Sequence, residues 1–234
     1  MDFISNAEDV ARSAMASIDP SLTNKYAALI QFLISRPAAA SALRGKNAPS
    51  VGSEAYIRKQ AESFKSGRGL LAPKLPSTVP DEMVSFILHH YFDVSKDRLE
   101  NVKREHLLSM AAENLVGGLL ERYLASVIEP HGWIWCSGSM IRAVDFIKPP
   151  HARKEHWRLL QVKNRDNSEN SSSSAIRGGT TIEKWFRTFS RKPGSNWAAF
   201  PDVSLRSVVS EDGFRAFVES YLHNLREANS KREP

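Results

Sequence analysis

Apolar residues recur three and four apart through most of the first half of the chain, then give way to short runs alternating with polar residues. This pattern predicts a helical N-terminal half joined to a mixed α/β half. Asn6 is placed to cap a helix from Ala7 to Ile18, and Pro20 and Ser21 open a second run in which Ala27, Ile30, Leu33 and Ile34 recur at helical spacing. A third helix is expected over Ser53 to Phe64, ending near Ser66-Gly67-Arg68-Gly69. Leu70 to Pro80, with three prolines, reads as a linker or surface loop. A fourth helix starts at Pro80-Asp81-Glu82 and runs to about Phe92. The longest, Asp97 to Ile128, carries Leu108, Ala112, Leu115, Leu119, Tyr123 and Val127 on one stripe. Gly117-Gly118 interrupts it at a cost of about 1 kcal/mol per glycine, marking either a break or a place where another backbone comes close. Pro130 and Gly132 end it.

Short strands are expected next: Trp133 to Cys136, Ile141 to Ile147 closed by Pro149-Pro150, and Trp157 to Lys163. A polar segment, Asn164 to Thr181, contains Ser171 to Ser174 and Gly178-Gly179. Ile182 to Ser190 is expected to be helical, Val203 to Val209 a strand, and Gly213 to Ala228 a final helix. The chain divides on this reading into a helical region, 1–105, and an α/β core, 106–234.

The chemistry lies in the strands. Side chains alternate along a strand, so in Trp157-Arg158-Leu159-Leu160-Gln161-Val162-Lys163 the residues Gln161 and Lys163 point one way and Leu160 and Val162 the other, into the core. A polar pair on one face is equally the pattern of an ordinary exposed strand. Asp145, in Ala143-Val144-Asp145-Phe146-Ile147, is less ordinary, because a carboxylate among apolar neighbours must be paired, hydrogen-bonded or bound to a metal. If the two strands form a hairpin, Asp145 lies beside Gln161 and Lys163. A carboxylate can hold a hard divalent cation such as Mg2+, which neutralises phosphoryl oxygens and activates water. A lysine can orient or deprotonate that water and offset developing charge. Gln161 offers a neutral carbonyl oxygen. Glu121, on the helix just before the strands, supplies a second acid for the metal or the active site; Glu113, about two turns earlier, is the alternative, and a surface pair of Glu121 with Arg122 is the plain reading.

Charge supports a polyanionic partner without proving one: 32 Lys+Arg face 26 Asp+Glu, a formal +6. The excess is local. Arg142, Lys148, Arg153, Lys154, Arg158, Lys163 and Arg165 lie between Ile141 and Arg165, against Asp145 and Glu155. Cys136 is the only cysteine, so neither an internal disulfide nor a cysteine-rich zinc site can form within one chain. No signal peptide and no run near the roughly 18 apolar residues of a membrane span is present, so a soluble, cytoplasmic protein with no membrane partner is expected.

Together these residues resemble the PD-(D/E)XK nuclease superfamily: an acidic helix, a strand Asp, then a strand (D/E)-x-Lys. The chain departs from that pattern at Gln161, where the motif has Asp or Glu, and at Val144, where it has Pro. More closely, the chain is similar to the SinI-type Type II restriction endonucleases. That resemblance rests on Gln161-Val162-Lys163-Asn164-Arg165-Asp166-Asn167-Ser168-Glu169-Asn170-Ser171-Ser172-Ser173-Ser174, Lys184-Trp185-Phe186-Arg187 and Asn196-Trp197. It implies a restriction-endonuclease-like α/β core, a mixed central sheet flanked by helices, with a helical N-terminal region. It also implies cleavage of short palindromic duplex DNA sites of the GGWCC kind (W is A or T). A homodimer matches a palindromic target, and a cognate DNA methyltransferase would be a functional rather than physical partner.

Asn164, Arg165, Asn167, Asn170, Ser171, Ser172 and Arg177 are expected to contact DNA, with Lys184 and Arg187 beside them, because arginine suits guanine and phosphate, and asparagine suits adenine. A solvated serine-rich loop is the plain alternative. The five tryptophans are read as packing residues. His89-His90 and His151 with His156 lack a zinc context, and Gly178-Gly179 lacks the Lys-Ser/Thr of a P-loop. Two other functions stay open: a catalytically dead nucleic-acid-binding module on a nuclease scaffold, and a nuclease for damaged or branched DNA.

Overall fold

The computed structural model describes residues 2–77, 79, 81–150, 156–166 and 182–230. They form two compact units: residues 1–69 with 120–234, and residues 70–119.

In the larger unit, α1 (Ala7–Ile18), α2 (Thr23–Ser35) and α3 (Glu54–Gly67) follow the predicted periodicity. Ser53 caps α3 by accepting from the Tyr56 N–H, whereas Asn6 precedes α1 without a side-chain cap. Their buried faces (Ala11, Met15, Ile30, Leu33, Ile57 and Phe64) are fully enclosed and join Ile134, Ile147 and Leu159 of the sheet in one core. Ile34, expected on that face, is 43% exposed. Two tyrosines lock the helices to the backbone, Tyr26 donating to the Ile57 carbonyl and Tyr56 to the Ser41 carbonyl at 2.8 Å.

Among the described residues the sheet has four strands in chain order: β1 (Ile134–Trp135), β2 (Phe146–Lys148), β3 (Arg158–Arg165) and β4 (Ile182–Thr188). The first three are antiparallel, and β4 is parallel to β3 with Gln161 opposite Lys184 and Val162 opposite Trp185. The expected helix at Ile182 to Ser190 is therefore a strand. So short a run cannot separate the two periods by itself, and alternation buries Trp185 against Trp197 and Phe200 while the backbone pairs with β3. The expected strand at Val203 to Val209 is instead a single 3₁₀ turn, Val203–Leu205, leading into a further hydrogen-bonded turn. Leu205 and Val209, four apart, are buried while Val203 and Val208 are exposed, which is helical and not strand spacing. Of the predicted strand Ile141 to Ile147, only its end joins the ladder. Ile141 makes an isolated bridge to Ala40, and Ala143 takes a left-handed φ of 57° that interrupts extended backbone.

Both faces of the sheet are covered. On the side opposite the N-terminal helices, Tyr123 meets Trp197 and Phe214 of α6 (Glu211–Ser230). Trp133, Trp135, Trp185 and Trp197 are all buried, and Trp157 packs on Phe32 at 5.3 Å between ring centroids. Glu129 and Asp202 tie strand residues to neighbouring segments. Glu129 accepts from both terminal nitrogens of Arg68, from Lys25 and from the Trp135 N–H. Asp202 accepts from the Trp133 indole, Lys148 and Ser204, and pairs with Arg158.

The smaller unit holds α4 (Glu82–His90) and the first part of α5 (Leu99–Ile128). α4 has no buried residue. Gly117-Gly118 neither breaks α5 nor marks a close approach at Gly117, where a Cβ would meet open space. Among the described residues no helix is long and apolar enough to cross a membrane.

Candidate active site

Asp145 stands one residue before β2, yet its backbone continues the ladder on both sides. Its N–H donates to the Leu160 carbonyl at 2.9 Å, and its carbonyl accepts from the Cys136 N–H at 2.8 Å. This double tether fixes the side chain, whose Oδ2 accepts from the Val162 N–H at 2.7 Å. Gln161 lies in β3 between the two residues that clasp Asp145, and is 5% exposed. Lys163 follows two residues on, on the same face of the strand, and is exposed.

Glu121 sits on the last turns of α5, next to the fully buried Leu120. Its Oε2 accepts from the Trp135 indole Nε1 at 2.9 Å. It is not the surface partner of Arg122, whose guanidinium instead donates to the carbonyls of Gly67 at 2.9 Å and Gly69 at 3.0 Å. Glu113, the alternative acid, is exposed and belongs to the 70–119 unit. Glu121 and Asp145 line one cavity of about 330 Å³, walled by Arg122, Trp135, Ser137 and Arg142.

The electrostatics of this pair are unusual. Burial, reinforced by the Glu121 charge, pushes the Asp145 carboxyl up to about 7, although the Val162 N–H and the Lys163 ammonium pull the other way. Burial raises Glu121 as well, against the Trp135 indole, Arg122 and Lys163. Two acids that each disfavour the other's charge, with Lys163 within Coulombic reach of both, form a place where a cation lowers the energy. The donor set is hard oxygen. Two carboxylates could hold a hard divalent cation, which takes oxygen ligands. Among the described residues no group of three or more His, Cys, Asp and Glu gathers as a denser metal cage.

The SinI restriction endonuclease family model matches residues 7–224. The chain is 52% identical over 221 residues to the Type II restriction enzyme Eco47I of Escherichia coli, covering 94% of this chain and 96% of that protein. It is 49% identical over 225 residues to the Type II restriction enzyme SinI of Salmonella infantis, covering 96% and 97%. The chain belongs to the SinI restriction endonuclease family.

In this family member the other anticipated residues fall into three groups. Arg165 and Lys184 are exposed on the sheet, free to meet a ligand from solvent. Asn164 and Arg187 are engaged with each other. The Arg187 Nε donates to Asn164 Oδ1 at 2.9 Å, and its guanidinium also binds Glu211 at 2.5 Å and stacks over Phe214. Asn167, Asn170, Ser171, Ser172 and Arg177 lie outside the described residues. Periodicity had marked Trp135 only as a packing residue and had not singled out Glu129 or Arg68. A buried indole N–H needs an acceptor, but nothing in the sequence says that the acceptor is Glu121.

Proposed function

We propose that this chain is a Type II site-specific endonuclease that hydrolyses phosphodiester bonds in short palindromic duplex DNA of the GGWCC kind, with Mg2+ held by Asp145 and Glu121. The observation that carries the reading is the meeting of Asp145 and Glu121 at one cavity, both raised in pKa and both within reach of the Lys163 charge. Family membership supports it, since the two relatives named above are Type II restriction enzymes. Bound Mg2+ would neutralise phosphoryl oxygens and make a nucleophile of water near neutral pH. The protein does the rest. Asp145, clamped at its N–H, its carbonyl and Oδ2, presents a carboxylate that cannot swing away. The Lys163 Nζ orients the attacking water and offsets the negative charge that builds on the phosphoryl group. Gln161, neutral where the PD-(D/E)XK motif has an acid, lies between the two β3 residues that clasp Asp145 and offers a carbonyl oxygen to the site.

In this reading Arg165 and Lys184 contact DNA together with Asn167, Asn170, Ser171, Ser172 and Arg177. Asn164 and Arg187, already paired, brace the strands that carry them. Residues 106–234 carry catalysis and recognition, and residues 1–105 support them. A palindromic duplex needs two cuts, and each chain offers one such acid pair among the described residues, so the active species is a homodimer acting in the cytoplasm. Its functional partner is a methyltransferase that shields host sites. Digestion of a fully sequenced plasmid with Mg2+ and with EDTA tests this. Discrete, metal-dependent fragments whose ends map to one short site are expected. Intact DNA that the protein still retards in a gel would refute cleavage and leave only a binding module.

A further inference from the structure

Trp135 is tied down far more heavily than a packing residue requires. Its backbone N–H donates to Glu129 Oε1 at 3.0 Å, and its carbonyl accepts from Arg68 at 2.9 Å. The Arg68 and Arg122 guanidinium carbons each lie 5.2 Å from its ring centroid. Those arginines are themselves held, Arg68 by both oxygens of Glu129 and by stacking on Phe64 at 4.5 Å, and Arg122 by the Gly67 and Gly69 carbonyls. The one polar atom of the ring, Nε1, is aimed at Glu121 Oε2 at 2.9 Å.

We propose that Trp135 is a positioning residue for the active site: its indole N–H fixes the Glu121 carboxylate in a single rotamer, so that one oxygen is occupied and the other is turned to the cation. The proposal rests on the reading of Glu121 as a cation ligand. An apolar ring of the same size would fill the space but leave Glu121 free to turn. The electrostatics agree with that division of labour. Two arginines against the ring polarise its N–H and make it a stronger donor to a carboxylate. Neither arginine takes Glu121 as its hydrogen-bond partner, which would neutralise the acid and spoil it for a metal.

The test compares full-length Trp135→Phe, Glu121→Gln and the double variant. The Mg2+ concentration giving half-maximal cleavage is measured beside the thermal shift produced by Ca2+, a readout that needs no turnover. Outer ligands of metal sites change affinity by about 10- to 100-fold. Trp135→Phe is therefore expected to raise the half-saturating Mg2+ about tenfold or more, with cleavage largely restored at high Mg2+. Adding it to Glu121→Gln should change nothing further. An unchanged Mg2+ requirement in Trp135→Phe, or an additive loss in the double variant, overturns the role of Trp135 alone. An unchanged requirement in Glu121→Gln overturns the ligand role of Glu121 and the proposal with it. Should Trp135→Phe fail to fold, the assigned indole N–H resonance of the wild-type protein decides during Ca2+ titration. It must move in step with the Asp145 amide, and a stationary Trp135 signal while Asp145 responds contradicts the proposal.

Discussion

The protein buries two kinds of carboxylate around one sheet, and they are solved in opposite ways. Glu129 and Asp202 are surrounded by cations and N–H donors. Burial alone would raise both, but Arg68 and Lys25 hold Glu129 below the usual range, and Ser204, Trp133 and Lys148 do the same for Asp202. Asp145 and Glu121 have between them one indole, one backbone N–H and the charges of Arg122 and Lys163, neither of which donates a hydrogen bond to them, and both acids are raised. A satisfied acid is a joint of the fold. A pair of acids hydrogen-bonded but not neutralised, facing a cavity, is what we propose as the seat for a cation that arrives from outside. The difference teaches which buried acids to assign to chemistry, and it needs no motif to do so.

The comparison can be broken by exchanging the consequences of the two classes. Asp145→Asn should abolish cleavage, on the order of 10³-fold or more, because a metal's charge stabilisation is worth several kcal/mol. It should leave the midpoint of thermal unfolding at pH 8 unchanged or higher, since a buried charge short of partners is removed. Glu129→Ala should do the reverse to the fold. It strands the Arg68 guanidinium, whose side chain is 14% exposed, and should cost about 3–5 kcal/mol in urea unfolding. Equal stability losses in the two variants would erase the distinction drawn here.

Lys163→Ala is expected to lower the cleavage rate by roughly 10²-fold, in line with removal of one stabilising donor, while DNA binding in Ca2+ is kept. A change in binding alone would move Lys163 out of the chemistry. The smallest expected effect separates the two kinds of arginine on the sheet. Arg165→Ala should reduce the salt slope of DNA binding by about one unit, as loss of a single phosphate contact does. Arg187→Ala should leave that slope intact and instead cost about 1.5–3 kcal/mol of stability, through its bonds to Glu211 and Asn164.

Much of this was readable before the fold was known, for physical reasons that differ from residue to residue. Asp145 stands out because an acid inside Val144-Asp145-Phe146-Ile147 cannot be solvated like its exposed peers, and β3 does place Gln161 and Lys163 beside it. The N-terminal helices follow directly from their apolar spacing. What escaped depends on contacts between distant segments. Ile182 to Thr188 has too few residues to show its period, and its strand character comes from pairing with β3. Trp135 looks like any core aromatic until α5 brings Glu121 to its indole. Glu129 looks like a polar residue at a helix end until Arg68, 61 positions away, reaches it.

Cation binding to the wild-type protein and to Asp145→Asn, followed by titration calorimetry with Ca2+, tests the central claim most directly. Because burial and the Glu121 charge push the folded Asp145 carboxyl from its ordinary 3.8 up to about 7, its contribution to stability is fully present below the ordinary value and is lost as pH rises through that raised value. A cation that needs the carboxylate must displace that proton at lower pH. The account predicts affinity rising about tenfold per unit as pH climbs toward 7 and levelling above it, with proton release that Asp145→Asn abolishes together with binding. Cation binding of equal strength in both proteins, without proton release, would contradict it.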